Sequence, residues 1–221
     1  MSVTESEALF ERFCTANGIP FERIVEGASL TADYWIRPNG VEVVCEVKQV
    51  EPNAEERKAM EALERGEVAV TGGVVGNRVR NKITDAGRQI RAHAKGRCPG
   101  VLVLWEPFGV ARHLDAYSVK AAMFGFDTLV LDVPADPELG PILRDRKSGP
   151  GRRMTEDHST SISALAVLCE RDDAIHCRVY HNHHAALPLL PDRLWFEHVV
   201  HFRLGESRPG QFDEWQAVDR G

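Results

Sequence analysis

Hydrophobic and polar residues alternate along this chain with two different periods, which predict helices and strands in turn. Apolar residues recur at helical spacing in residues 5–17 and again in residues 79–95, so both segments are predicted to be amphipathic helices. Over residues 41–48 one set of alternate positions is wholly apolar and the other carries the charged residues, which predicts a strand, and the almost wholly apolar run at residues 100–106 is typical of a buried strand. The elements predicted up to this point are a helix at 5–17, a strand at 21–24, two strands within 32–49, helices at 53–65 and 79–95, and a strand at 100–106.

The remaining half of the chain is predicted to contain more strands than helices. The elements predicted there are a helix at 115–124, a strand at 127–133, a hairpin at 161–181 and a strand or short helix at 194–204. Residues 134–160 are rich in proline, glycine and charge, which is typical of a mobile surface loop. We therefore predict an α/β protein with a core at residues 1–135, a flexible loop at 136–160 and a β-rich extension at 161–221 packed on the same domain.

A tight reversal of the chain is predicted to join the two strands of residues 32–49. The Pro38–Gly40 segment consists of residues that favour such turns. Because successive side chains on a strand point to opposite faces, Glu46 and Lys48 share one face of the second strand. Asp33 lies six residues before Asn39 at the centre of the turn, and Glu46 lies seven after it. Antiparallel pairing is therefore predicted to bring the two carboxylates together.

Two carboxylates at one position predict a bound cation. Asp33 and Glu46 would repel each other, and keeping both ionised is costly unless a cation lies between them. Mg²⁺ prefers carboxylate, water and phosphate oxygen, and it lowers the pKa of a bound water. Lys48 points to the same side and is placed to orient that water or to neutralise charge on a phosphate. The segment therefore predicts the chemistry of phosphodiester cleavage.

These residues resemble the motif of the PD-(D/E)xK nuclease superfamily, which has the restriction-endonuclease-like fold. Asp33 is followed, after twelve residues, by Glu46-Val47-Lys48, and Ala32 stands where the family motif has proline. The resemblance implies a mixed central sheet flanked by helices and a Mg²⁺ or Mn²⁺ cofactor. It also implies that Asp33, Glu46 and the backbone carbonyl of Val47 bind the metal and that Lys48 is the catalytic cation. The predicted order of helix, three strands, helix and strand matches the core of that fold.

The resemblance extends to residues outside the motif. A glutamate on the first helix of this superfamily often completes the metal site, and Glu7 is the matching position, with Glu11 as the second choice. Many of these nucleases carry a glutamine after the motif or on the following helix, and Gln49 and Gln89 are the corresponding candidates. The implied function is a metal-dependent nuclease, a hydrolase acting on ester bonds.

Basic charge is concentrated beside the predicted site although the chain as a whole is acidic, at formal −6. Residues 76–97 hold seven lysines and arginines against one acid, whereas residues 5–64 hold thirteen acids against six basic residues. A local positive stripe attracts phosphate backbones whatever the net charge. Arg78, Arg80 and Lys82 are therefore predicted to contact nucleic acid, with DNA favoured over RNA, and Arg80 is predicted on the outer side of its helix.

Composition restricts the class of protein further. No apolar run approaches the roughly 20 residues that span a bilayer. The first residues include acids and no apolar signal region, which argues against secretion and against a membrane partner. The five cysteines show no C-x-x-C spacing, as expected of reduced thiols in a cytoplasm. A homodimer is compatible with cleavage of two strands.

Two other functions compete with the nuclease prediction. One is a non-catalytic nucleic-acid-binding or regulatory module on the same fold, since a fold alone does not establish activity. The other is a metal hydrolase centred on the cluster His181, His183 and His184, because imidazoles at this density can bind Zn²⁺.

Overall fold

The computed structural model describes residues 3–25, 31–70, 72–107, 113–136, 138–205 and 211–219. The helices in these segments are α1 (Glu5–Ala16), α2 (Ala54–Glu64), α3 (Asn77–Ala94) and α4 (Ala116–Phe124). The strands are β1 (Phe21–Arg23), β2 (Tyr34–Ile36), β3 (Val43–Gln49), β4 (Gly100–Trp105), β5 (Asp127–Asp132), β6 (Ile142–Ser148), β7 (Ala164–Arg171), β8 (Ala174–His181), β9 (Val199–Leu204) and β10 (Trp215–Ala217). Among these helices, none has both the length and the apolar character needed to span a membrane.

A mixed sheet of eight strands forms the centre of the protein, in the order β1-β2-β3-β4-β7-β8-β9-β10. Strands β1, β2 and β3 pair antiparallel, β4 pairs parallel with β3, and β7 pairs parallel with β4. The hairpin β7–β8 and the strands β9 and β10 extend the same sheet. The prediction of an α/β protein with a mixed sheet flanked by helices is thereby confirmed.

Each face of the sheet is covered by a helix whose apolar stripe matches the sequence pattern. On one face, α1 buries Leu9, Phe10 and Phe13 against inward-facing residues of the strands. On the other face, α3 and α4 pack together and bury residues such as Ile83 and Met123. Strand β3 contributes to both cores because its alternate residues point to opposite faces. Its residues Glu46 and Lys48 therefore lie on the face that α3 covers, together with Val44.

The close approach of α3 to α4 depends on a glycine. Gly76 precedes α3 with a φ of 71°, in the left-handed region that glycine adopts without strain. A Cβ at this position would lie 2.6 Å from the carbonyl oxygen of Ser118 on α4. Glycine therefore lets α3 begin directly beside α4, and this fixes the flank of α3 that faces the end of β3.

The loop predicted over residues 136–160 is wrong for its middle part, which forms strand β6. This strand pairs antiparallel with β5 in a separate two-stranded ribbon. Most of its side chains are exposed on both faces and its sequence is Ile-Leu-Arg-Asp-Arg-Lys-Ser, so no alternation of apolar and polar residues marks it. The strand is defined by its backbone pairing with β5, so the pattern of apolar and polar residues did not predict it.

Candidate metal centre

The β2–β3 hairpin brings Asp33 and Glu46 together in the predicted way. Tyr34 pairs with Cys45, so the next position along the ladder sets Asp33 opposite Glu46. The amide of Asp33 donates to the Cys45 carbonyl at 3.1 Å, and the Asp33 carboxylate accepts from the amide of Val47 at 2.7 Å. The chain reverses through a helical turn at Pro38–Gly40. The antiparallel pairing predicted around this turn is confirmed.

Glu46 is a fully buried carboxylate with an incomplete set of partners. Its relative exposure is 0%, and its side chain forms an ion pair with Lys48. Apart from that pair, neither oxygen accepts a hydrogen bond of ordinary geometry from the described residues. Burial raises the pKa of Glu46 to about 7, with repulsion from Asp33 adding to the effect. Such a group is poised to lose its proton when a cation arrives.

The pKa values of Asp33 and Lys48 are also shifted by burial and by neighbouring groups. Burial raises the pKa of Asp33 against the opposing effect of its hydrogen bond from Val47. For Lys48, burial lowers the pKa, but its contact with the Glu46 carboxylate outweighs that effect and leaves the pKa raised. Lys48 therefore stays an ammonium ion beside two acids, which partly neutralises them while no metal is bound.

A cavity of about 580 Å³ opens beside these residues. Its lining combines residues of α1, the hairpin and one flank of α3, namely Thr4, Ser6, Glu7, Asp33, Val47, Lys48, Gln49, Val50, Glu51, Arg78, Asn81, Lys82 and Asp85. Two ammonium groups, those of Lys48 and Lys82, reach it. Burial lowers the pKa of Lys82, and the nearby charge of Lys48 lowers it further. The cavity therefore combines acidic residues with cations that favour an anionic ligand.

Glu7 lines this cavity, but its carboxylate has other partners. One oxygen accepts from the amide of Thr4 at 2.7 Å in the capping box that begins α1. The other oxygen forms an ion pair with Arg23. Thr4-x-x-Glu7 is a sequence signature of this cap, so the sequence alone could have predicted that Glu7 caps α1. Glu7 would therefore have to share its carboxylate oxygens with Thr4 and Arg23 in order to bind a metal.

The donor set fits Mg²⁺ or Mn²⁺ better than a metal that needs many protein ligands. Among the described residues, no three His, Cys, Asp or Glu side chains are arranged to hold an ion, and this includes the predicted set Glu7, Asp33 and Glu46. Mg²⁺ usually takes one or two carboxylates and keeps water or substrate phosphate as its other ligands. A buried carboxylate that lacks ordinary hydrogen bonds, opposite a second one, meets that requirement. Val47 adjoins both and lines the cavity.

The other predicted binding residues lie at different depths around the cavity. Arg78 lines it but donates to the Glu51 carbonyl at 2.6 Å and to Glu56 at 2.7 Å. Gln49 lines it from the end of β3. Gln89 donates to the Thr31 carbonyl at 2.9 Å and lies near enough to Glu46 to lower the pKa of that carboxyl. Gln89 therefore stabilises the ionised form of the buried Glu46 carboxylate.

The prediction that Arg80 lies on the outer side of α3 is wrong. Its relative exposure is 4%, and its guanidinium donates to the carbonyls of Val75 at 2.6 Å and Ala121 at 3.2 Å. The group also stacks over the Phe126 ring, 4.8 Å from the centroid. Arg80 therefore joins the start of α3 to α4 and is not available to a phosphate.

Replacing Arg80 by methionine is expected to destabilise the fold by about 2–3 kcal/mol, because the charged hydrogen bonds from its guanidinium to Val75 and Ala121 are lost while the volume is largely kept. Urea unfolding measures the change. The exposed Arg91→Met variant on the same helix is the control and is expected to shift stability by less than about 0.5 kcal/mol. Equal stabilities for both variants would contradict the structural role of Arg80.

Several cavity residues escaped the sequence analysis. Asn81 and Asp85 share the flank of α3 with Arg78 and Lys82, at spacings of three and four residues. Helical periodicity would have found them, since positions i, i+3, i+4 and i+7 lie on one face. A criterion based on positive charge selects Arg78 and Lys82 but not Asn81 and Asp85.

The histidine cluster does not form a metal site. His181 is buried and its Nε2 lies 2.8 Å from Nδ1 of His201, whose Nε2 donates to the Leu194 carbonyl. The ring of His183 stacks on Phe124, with centroids 4.5 Å apart. No three-ligand group exists around these histidines in the described parts of the chain. The predicted alternative of a zinc hydrolase centred on His181, His183 and His184 is therefore not supported.

Comparisons with protein-family models, with curated proteins and with solved structures found no match for this chain.

Proposed function

We propose that this protein is a metal-dependent phosphodiesterase that cleaves nucleic acid, a nuclease of the PD-(D/E)xK type. One observation carries the proposal: Glu46 is a fully buried carboxylate set opposite Asp33, with the ammonium of Lys48 in contact with it. A protein that used these residues only for stability would gain more from apolar residues of the same size. The arrangement is costly for the fold and suited to a cation.

The order of elements supports a restriction-endonuclease-like core. Helix α1, the antiparallel strands β1 to β3, helix α3 and the strand β4 parallel to β3 follow one another in the predicted order. The acids lie on β3 and directly before β2, as the resemblance implies. Helix α2 is an addition between β3 and α3, and β7–β10 extend the sheet beyond β4.

The roles of the residues follow from their positions. Asp33, Glu46 and the Val47 carbonyl would hold Mg²⁺ or Mn²⁺, which supplies a water of lowered pKa and stabilises charge on the phosphate. Asp33 is held in place by the Val47 amide, and it lines the cavity. Lys48 now pairs with Glu46; with a cation on that carboxylate, its ammonium would be available to a water or to a phosphate oxygen. Lys82 adds a second positive charge on the opposite wall.

The substrate and the cellular setting follow from charge and thiol chemistry. Lys82 and Arg78 line the cavity from α3, and a polyanion is the ligand that such a wall attracts. We favour DNA as the substrate. All five cysteines are free thiols and four of them are buried, which fits the reducing conditions of a cytoplasm.

The Lys48→Met variant tests this function. It is expected to bind Mn²⁺ and yet to cleave about 10²- to 10³-fold more slowly, because an ammonium that stabilises the transition state is replaced by a side chain of similar length. A panel of single-stranded and duplex DNA and RNA, each with Mg²⁺, Mn²⁺ or EDTA, identifies the substrate in the wild type. The exposed Lys58→Met variant on α2 controls for loss of charge. Wild-type cleavage rates in Lys48→Met would contradict the proposal.

One observation favours a non-catalytic nucleic-acid-binding module as the second candidate. Lys48 already pairs with Glu46, and Glu7 already pairs with Arg23, so the site is largely neutralised without a metal. That module would bind nucleic acid equally well in EDTA, would cleave nothing in the panel, and would keep its affinity in the Lys48→Met variant.

A further inference from the structure

A second, larger groove lies on the other exposed flank of α3. Its volume is about 960 Å³, and four arginines line it: Arg88 and Arg91 from α3, and Arg152 and Arg153 from the segment after β6. Two acids, Glu156 and Asp157, share the lining, but the four arginines outnumber them, so the net charge of these side chains is positive. None of the four arginines lines the cavity beside Asp33 and Lys48, which is called the metal cavity below. The groove is therefore a separate basic surface.

Helical geometry connects the two surfaces. Thr84, Arg88 and Arg91 follow the spacing i, i+4, i+7 and face the groove, whereas Lys82 and Asp85 face the metal cavity. At 100° per residue, the two sets lie roughly a third of a turn apart on the solvent side of α3. The helix is therefore a ridge with the metal centre on one flank and the basic groove on the other.

Most of the arginines of the groove are not paired with a carboxylate in the described segments. Arg91, Arg152 and Arg153 form no ion pair with any carboxylate in the described segments, and Arg88 pairs only with the exposed Asp85 at 3.2 Å. The segment that carries two of them is nevertheless held firmly. The amide of Arg153 donates to the carbonyls of Ala122 and Met123 at 3.0 and 3.1 Å. Like charges held together without partners destabilise a fold, so their arrangement points to an anionic ligand.

We propose that this groove binds the sugar-phosphate backbone of the nucleic acid strand that the metal centre cleaves, on the far side of α3 from the scissile bond. Guanidinium groups match phosphate oxygens in pairs, and four of them spread over two chain segments suit a run of phosphates better than a single one. The inference rests on the proposed function for the identity of the ligand.

The groove also offers ring surfaces to bases. The imidazoles of His158 and His184 line it, and the His184 ring lies 4.0 Å from that of His183. Imidazole and guanidinium planes stack on unpaired bases, which favours a single-stranded segment over a duplex. An α-helix with its side chains is about 10 Å wide, so a strand crossing α3 spans roughly three nucleotides between the two surfaces.

Fluorescence anisotropy with a labelled single-stranded DNA in EDTA tests the groove without the metal centre. Two double variants, Arg88→Ala with Arg91→Ala and Arg152→Ala with Arg153→Ala, remove exposed side chains from the two walls separately. Each is expected to weaken binding about tenfold and to reduce the slope of log K against log salt by about 1.4, at 0.7 for each lost phosphate contact on a single strand. Replacing Arg88 and Arg91 by lysine is expected to restore part of the affinity.

A matched control removes two arginines elsewhere: Arg12→Ala with Arg171→Ala, of which Arg12 lies on α1 across the sheet. Affinity and salt slope are expected to match the wild type. Several outcomes would overturn the proposal: equal loss in control and groove variants, wild-type affinity in both groove variants, no binding by the wild type in EDTA, or a mononucleotide bound as tightly as the oligonucleotide. If the groove variants bind like the wild type while Lys48→Met still slows cleavage, the proposal for the groove is wrong and the proposed nuclease function stands.

Discussion

Replacement of Glu46 by glutamine is expected to abolish metal-dependent cleavage and, at the same time, to make the metal-free protein more stable at about pH 8. The loss of cleavage is expected to reach the order of 10³-fold or more, since a cation site with one of two carboxylates removed forfeits several kcal/mol of charge stabilisation. Glutamine keeps the shape of the side chain. Only the charge that is proposed to bind the cation is lost.

The gain in stability follows from the buried charge. The pKa of Glu46 is raised from 4.5 to about 7, so the folded protein holds a proton that the unfolded chain releases at lower pH. The stabilising effect is therefore complete below about pH 4.5 and is lost as the pH rises through 7. Above pH 7 the wild type bears a penalty of about 3 kcal/mol that Glu46→Gln removes.

Urea unfolding in EDTA at several pH values measures this difference. The Glu46→Gln protein is expected to exceed the wild type in stability at pH 8, and the advantage is expected to disappear toward pH 5. Glu42→Gln serves as the control, because Glu42 is exposed just before the same strand. A variant that is destabilised at pH 8, or that cleaves at the wild-type rate with Mg²⁺, would contradict the assignment of Glu46 as a buried ligand.

The pairing of Asp33 with Glu46 was predictable because local rules determine it. A turn at Pro38–Gly40 fixes the register of the hairpin, and the period of two fixes which side chains share a face. The core face of α3 was predictable for a similar reason, since its apolar residues recur at helical spacing. Both predictions used only neighbours in the sequence.

The features that the sequence did not predict correctly depend on tertiary packing or on pairing that leaves no apolar pattern. Arg80 was expected in solvent, as most arginines are, but carbonyls of Val75 and Ala121 satisfy its guanidinium inside the fold. The basic groove joins α3 to residues 152–159, which no periodicity connects. Strand β6 has no buried face, so no apolar pattern could reveal it. Local patterns predicted the pairing of Asp33 with Glu46, whereas tertiary packing determined what surrounds the two carboxylates.

A second titration, of opposite sign, is expected from the buried histidine pair. His181 on β8 and His201 on β9 share a hydrogen bond of 2.8 Å, and both are buried. Burial lowers the pKa of His181 to about 3, with repulsion from His201 adding to the effect, and burial also lowers the pKa of His201. The folded protein therefore keeps both rings neutral at a pH at which the unfolded chain would protonate them.

Acid is consequently expected to destabilise the protein through these two rings. The unfolded chain binds more protons than the folded protein between the lowered pKa of about 3 and the ordinary value of 6.5, so stability falls as the pH falls through this window. His181 alone is expected to contribute a loss on the order of 3 kcal/mol between pH 6.5 and 4. Protonation of Glu46 acts in the opposite direction over part of the same range, so the wild-type profile is the sum of both.

The His181→Gln variant separates the two titrations, because its amide can still donate to Nδ1 of His201 but cannot take up a proton. Its stability is expected to fall less steeply between pH 6.5 and 4 than that of the wild type, as measured by urea unfolding in EDTA. His176→Gln, which replaces a half-buried imidazole of the same strand, is the control. An equal flattening in both variants would assign the acid sensitivity to histidines in general, and an unchanged slope in His181→Gln would remove the buried pair as its cause. Because Glu46 keeps its titration in both histidine variants, the same measurements isolate the stabilisation by acid that the proposed metal ligand contributes.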